Sequence, residues 1–300
     1  MSKLPYIIDE SAGLTTMRDP MILVHDGRYY LTGTQPPYWE GVNDGVRMWS
    51  SADLEHWEDH GLILKREDMP EDLWCRDRFW APELFEADGV FYLTFNCRNE
   101  SKEHPHFHSC GIAKADKVTG PYTIMSYDES LTEHVKGDND ATMFRDDDGQ
   151  IYFACAGDML LHIYKFNSED GSLSDGYCTN EKAKEGEWDS IGTEGQFIIK
   201  RNGIYYQWYS SWTNGYDAGV MTAKSINGPW TKSPQNPILT DNELWHMAGH
   251  NHGFRSLDGK DYLIFHAMLR DPEDHDTPRI FIREVEYLPD GTIKVSLPQK

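Results

Sequence analysis

The stretch RDPMILVHDGRYYLTGT, from Arg18 to Thr34, contains the pattern that decides the fold. A carboxylate, Asp19, precedes Pro20. The apolar run Met21 to Val24 follows, Asp26-Gly27 makes a turn, and Tyr29-Tyr30 opens a second apolar run. Two strand-like runs joined by Asp-Gly read as a β-hairpin, because both central residues of the tight turn need positive φ. The same order recurs in WAPELFEADGVFYLTF from Trp80, NDATMFRDDDGQIYFAC from Asn139, TEGQFIIKRNGIYYQWYSS from Thr193 and GHNHGFRSLDGKDYLIFHA from Gly249. The turn glycines Gly27, Gly89, Gly149, Gly203 and Gly259 stand 54 to 62 residues apart.

Five self-similar units, each with room for three or four short strands, predict an all-β fold. The expected architecture is a five-bladed β-propeller of four-stranded antiparallel blades around a central channel, a single domain over residues 1–300. A β-sandwich would give regular strands without self-similar units, and a solenoid would keep a stricter period. No stretch shows a long 3.6-residue apolar period, so helices should be short and few. The piece from Arg279 to Val295 is expected to supply the closing outer strands.

Composition narrows the partners. With 28 basic and 50 acidic residues the chain carries a net charge of -22, which argues against nucleic acid and against an anionic membrane. No apolar run reaches transmembrane length. Five cysteines without paired spacing read as free thiols in a reducing compartment. The opening MSKLPYIIDE lacks an apolar targeting core, so the expected location is cytoplasmic.

The first strand of each propeller blade lines the channel, so residues heading the five units should meet in one ring. They read Asp19, Glu83, Asp140, Glu194 and His250, with Glu83 standing closer to its turn glycine than the others. Like charges gathered in a cleft oppose folding, which points to function. No nucleophile elbow, phosphate loop, dinucleotide fingerprint or Cys/His pairing is present. Carboxylates among aromatics suit glycoside hydrolysis, which needs a protonated acid and an ionised base or nucleophile. A third carboxylate near the acid raises its pKa.

With these five motifs in this order the chain resembles glycoside hydrolase family 43, five-bladed propellers that act with inversion on arabinose- and xylose-containing glycans. The resemblance implies Asp19 as general base, Asp140 as the aspartate that tunes the acid, and Glu194 as general acid. It also implies Trp80 at the border of the sugar pocket, His250 on the axis, and Arg279, with Arg283 as the alternative, as a last-blade arginine reaching the sugar. The chain departs from the family pattern where Ala141 replaces a usual proline, where Gln196 stands instead of a frequent one, and where His252 replaces a small residue. Asp138 is a rival for the place of Asp140. No cofactor is required on this reading, although some relatives hold a hydrated calcium near the axis beside the histidine.

The partner expected is an oligosaccharide losing terminal α-L-arabinofuranosyl or β-D-xylosyl units. Endo-arabinanase or galactan-acting specificity is one alternative, and a non-catalytic glycan-binding propeller is another. Inversion implies a base-to-acid separation of roughly 6.5–9.5 Å. The run Asp146-Asp147-Asp148 reads as a solvated turn, and His104, His106 and His108 as a loop beside the site. Trp39, Trp212 and Trp245 stand where they could stack on sugar faces, but packing between blades is the commoner role of such aromatics and the first reading.

Overall fold

The computed structural model describes residues 6–100, 109–125, 131 and 135–296; His104, His106 and His108 lie outside the described residues. Five antiparallel four-stranded sheets succeed one another along the chain, each built from one continuous piece. The first is β1 (Arg18–His25), β2 (Arg28–Thr34), β3 (Gly45–Ser51) and β4 (Glu58–Lys65). The second is β5 (Arg78–Ala87), β6 (Val90–Arg98), β7 (Ser109–Ala115) and β8 (Thr123–Ile124). The third is β9 (Asn139–Arg145), β10 (Ile151–Gly157), β11 (Leu160–Phe166) and β12 (Leu173–Cys178). The fourth is β13 (Glu194–Arg201), β14 (Ile204–Ser211), β15 (Asp217–Ala223) and β16 (Thr231–Lys232), and the fifth is β17 (Trp245–Arg255), β18 (Asp261–Leu269), β19 (Pro278–Tyr287) and β20 (Ile293–Val295).

The first strands of neighbouring blades pack around the axis, and β17 closes onto β1: the molecule is a five-bladed propeller. As expected, the last stretch of chain forms the third and fourth strands of the last blade. The N-terminal segment ties in beside them, Ile7 N–H donating to the Ile280 carbonyl at 2.8 Å. The only helical turns among the described residues are two three-residue 3₁₀ turns. Apolar side chains of adjacent blades form the core, and Trp245 belongs to it, with ring centres 5.4 Å from Phe265 and 5.1 Å from Phe281. All five cysteines are free.

Three of the five turns are the tight hairpins expected: Asp26-Gly27, Asp88-Gly89 and Asn202-Gly203 all have positive φ at both residues. At Gly149 and Gly259 only the glycine is left-handed. There the bonds from Gly149 to Asp146 and from Gly259 to Ser256 close three-residue loops, one residue longer. Asp146 is no free turn residue either, since it pairs with Lys200 at 2.9 Å and accepts from the Tyr205 hydroxyl.

The ring itself departs from the sequence reading. Each inner strand has a left-handed residue near its head: Asp19 (φ 50°), Ala81 (44°), Asp140 (50°), Gly195 (60°) and His250 (46°), with Met247 (54°) a second one in β17. The strand ladder skips at each of these places, a bulge in every blade. Ala81 and Gly195, not Glu83 and Glu194, therefore occupy the second- and fourth-blade ring positions. Glu83 sits deeper in the channel, and Glu194 stands one residue toward the mouth.

Left-handed backbone at a bulge releases an amide from the ladder, and a buried amide needs an acceptor. Four of the five find it on the second strand of the preceding blade. Ala81 donates to Thr34 Oγ1 at 2.7 Å, Asp140 to Asn96 Oδ1 at 2.8 Å, His250 to Ser210 Oγ at 2.8 Å and Asp19 to His266 Nδ1 at 3.1 Å. The corresponding residue of the third blade is Ala156, which pairs with Asn139 as Ser210 pairs with Glu194. Ala156 has nothing to offer, and the Gly195 amide donates instead to Asp140 Oδ2 at 2.7 Å. Removing one of these acceptors strands a buried N–H. Ser210→Ala is expected to lower the unfolding free energy by about 1–3 kcal/mol in urea denaturation, and an unchanged value would contradict the role given to this bond.

Candidate active site

Above the ring the inner strands and their loops enclose a pocket of about 240 Å³. Asp19, Asp140, Glu194, His250 and Trp80, all singled out from sequence, line it together.

Asp19 is 9% exposed. Its Oδ2 accepts from the Thr34 hydroxyl at 2.6 Å, and its Oδ1 lies 3.4 Å from His250 Nδ1. Burial pushes this carboxyl up, but His250, Arg18 and the Thr34 hydrogen bond outweigh it, leaving Asp19 below the ordinary aspartate range.

Glu194 goes the other way. Its carboxyl is pushed up to about 8, first by burial and then by the nearby charge of Asp140. Trp212 Nε1 and the Tyr216 hydroxyl donate to Oε1 at 2.8 and 3.1 Å, and Asn139 Nδ2 donates to Oε2 at 3.1 Å. The two bonds to Oε1 oppose the rise without cancelling it. Near neutral pH Asp19 is thus ionised and Glu194 protonated in the same pocket.

Asp140 links the two halves. Asn96 Nδ2 donates to its Oδ1 at 2.6 Å, the Gly195 amide holds Oδ2, and His250 Nδ1 lies 3.6 Å away. Burial raises its pKa, and the charge of Asp19 adds to the rise. The amide it holds belongs to the residue next to Glu194, so Asp140 touches the backbone beside Glu194 and also helps to raise the Glu194 carboxyl.

Trp80 is fixed by its indole N–H donating to the Tyr38 carbonyl at 2.7 Å. Arg279 is not brought into the pocket lining. Its guanidinium donates to Asp274 Oδ2 at 2.6 Å and to the Thr15 carbonyl at 2.6 Å. Arg283 lies over Trp245 in the last blade, 5.1 Å from its ring centre. Trp39 and Trp212, read from sequence as packing, do line the pocket, as do Arg18 and Asn139. Trp39 and Trp212 come from loops, whose paths carry no periodic signal. Thr34, Asn96, Ser210 and His266 do leave a sequence signal, a polar residue closing each aromatic second strand.

Glu83 and His252 line the channel on the far side of the ring. Burial pushes Glu83 up to about 8, with Asp140 and Asp19 adding to it, and pushes His252 down to about 3. For calcium the donors near His250 fit poorly. Its Nδ1 is turned toward Asp19 and Asp140, and among the described residues no three His, Cys, Asp or Glu side chains are arranged to hold a metal, whereas calcium takes six to eight oxygens.

A protonated carboxyl and an ionised one facing a common pocket, with indoles on its walls, are the equipment of propeller enzymes that cleave glycosidic bonds. The family description "Glycosyl hydrolases family 43" matches residues 14–293, and the chain belongs to that family. It is a glycoside hydrolase. The chain is 29% identical over 265 residues to the β-D-galactofuranosidase xynD of Aspergillus niger, covering 82% of this chain and 72% of that one. It is 27% identical to xylosidase/arabinosidase 43B of Humicola insolens, over 82% of this chain and 46% of that one. It is 26% identical to an extracellular endo-α-(1→5)-L-arabinanase of Bacillus subtilis, over 75% and 51%. The chain therefore spans only about half the length of the last two relatives. Among solved structures, a thermostable family-43 glycoside hydrolase superposes with a TM-score of 0.79 at 26% identity, over 95% of this chain and 94% of that one.

The raised carboxyls set a pH dependence of stability. A glutamate at 4.5 when unfolded and about 8 when folded keeps its proton only in the folded state between those values. Its stabilisation is complete below the lower value and is lost as pH rises through the upper one. The urea midpoint is expected to fall between about pH 4.5 and about pH 8 and to level off above that, and to fall less in Glu83→Gln, which cannot ionise. Equal slopes in the two proteins would contradict the burial assigned to Glu83.

Proposed function

We propose that the enzyme is an inverting exo-glycosidase that removes terminal arabinofuranosyl or xylosyl units from oligosaccharides. The observation that carries this reading is the opposite tuning of two carboxyls in one pocket, Asp19 held down and Glu194 pushed up to about 8. In the proposed reaction ionised Asp19 takes a proton from a water as the water attacks the anomeric carbon. Glu194 gives its proton to the departing glycosidic oxygen. Asp140 keeps that proton in place between turnovers by its charge, and fixes the Glu194 backbone through the Gly195 amide. Trp80, Trp39 and Trp212 offer flat apolar faces to the sugar. A pocket of about 240 Å³ is smaller than the roughly 300–1,000 Å³ of drug-sized sites and suits one sugar unit, which favours cleavage at a chain end.

The galactofuranosidase relative supports galactofuranosyl transfer to water as a second reading, and the arabinanase relative supports internal cleavage as a third. A panel of nitrophenyl α-L-arabinofuranoside, β-D-xyloside and β-D-galactofuranoside with linear arabino- and xylo-oligosaccharides separates them. Proton NMR in the first minutes is expected to show the product with inverted anomeric configuration, and retention would overturn the mechanism. Asp19→Ala is expected to lower kcat/KM by about 10²–10⁴-fold on every substrate. Glu194→Ala is expected to lose about as much on oligosaccharides but little on aryl glycosides with good leaving groups, which need no protonation. Sugar binding without any hydrolysis would make the propeller a binding module instead.

A further inference from the structure

Arg18, the residue before Asp19, lines the same pocket and is 5% exposed. Its guanidinium carbon lies 5.1 Å from the ring centre of Trp39 and 5.8 Å from that of Trp212. Among the described residues its side chain has no hydrogen-bond partner, and no carboxylate oxygen comes within 4.0 Å of its nitrogens. Eleven other arginines of this acidic chain have a carboxylate within 4.0 Å.

A guanidinium does not shed its proton on burial, and a buried charge is retained at a cost unless something meets it. Asp19 feels this charge but makes no hydrogen bond to it, because its oxygens are turned to Thr34 and His250. Glu194, protonated near neutral pH, is not one either. Two indoles cover Arg18, and cation–π contact uses the flat faces of a guanidinium. The N–H groups of Arg18 have no partner among the described residues, and the residue lines the pocket; a guanidinium offers a fork whose spacing matches the two oxygens of a carboxylate. A neutral sugar hydroxyl would offer one acceptor and no charge.

We propose that Arg18 recognises the carboxylate of a uronosyl unit, on or next to the sugar held in the pocket, and that the substrate is an acidic glycan. The proposal rests on reading this pocket as the glycosidase site. Specificity then comes from a residue of the first blade, one step along the chain from the base, and not from Arg279.

Equilibrium binding tests it, read by isothermal titration or by quenching of tryptophan fluorescence. The probes are D-glucuronate, D-galacturonate and their uncharged methyl esters, then xylotriose with and without a glucuronosyl branch. The wild type is expected to bind the acid at least about tenfold more tightly than its neutral counterpart, the scale of a charge-assisted bidentate contact. Preference only for the branched trisaccharide places the carboxylate on a neighbour of an arabinofuranosyl or xylosyl unit; preference among the monosaccharides places it on the pocket sugar and makes the released unit a uronosyl one instead. Arg18→Met should abolish the preference, and Arg18→Lys should keep part of it. Equal binding of acid and neutral forms by the wild type overturns the proposal whether or not the variants fold. An equal loss for both forms in Arg18→Met also overturns it, by making Arg18 a hydroxyl contact. Binding is read without turnover, so failure to hydrolyse any substrate would sink the proposed function and leave this outcome independently measured.

Discussion

Hydrogen bonds from the amides of five left-handed residues join each blade to its predecessor at the level where the pocket begins. Each left-handed residue turns its side chain or its neighbour's toward the axis, and each frees an amide that the neighbouring blade must receive. Thr34, Asn96, Ser210 and His266 do so as ordinary acceptors. The exception is chemically the most consequential. Because Ala156 cannot accept, the Gly195 amide is held by Asp140, so the same contact joins the third blade to the fourth and sets the aspartate beside the acid. Gly195 also has little room for a side chain, since a Cβ there would come within 3.2 Å of His250.

The same closeness produces the electrostatics. Three carboxyls and an imidazole share one pocket, and burial alone would raise all three acids. They separate according to what touches them. Asp19 has a hydroxyl donor and the guanidinium of Arg18 nearby; Glu194 has neutral donors and the carboxyl of Asp140 nearby. Burying ionisable groups in this way works against stability, which is why function explains the arrangement better than folding does. His266 fits the same logic: burial holds it well below its ordinary value, so as a neutral ring it can accept the Asp19 amide at Nδ1.

Much of this was legible in the chain. Asp-Gly and Asn-Gly turns between apolar runs announced five hairpins, and their near-regular recurrence announced the propeller. The heads of the repeats named Asp19, Asp140, Glu194, His250 and Trp80, which the fold does gather. The ring register was not legible, because a bulge inserts a left-handed residue that no alternation pattern reveals; Ala81 looks like nothing in sequence. Arg279 is not among the residues that line the pocket, and a nearby acid, Asp274, holds it. Arg18 was overlooked because a residue adjacent to a candidate base reads as context until the loop bearing Trp39 folds over it.

The central claim is that one pocket keeps Glu194 protonated while Asp19 is ionised. Carbon-13 NMR of side-chain carboxyl-labelled glutamate, with Glu194 and Glu83 assigned from their glutamine variants, measures it directly. The Glu194 signal is expected to stay at its protonated position through neutral pH and to titrate near 8. A Glu194 signal already ionised by about pH 6 would contradict the assignment of this residue as the acid.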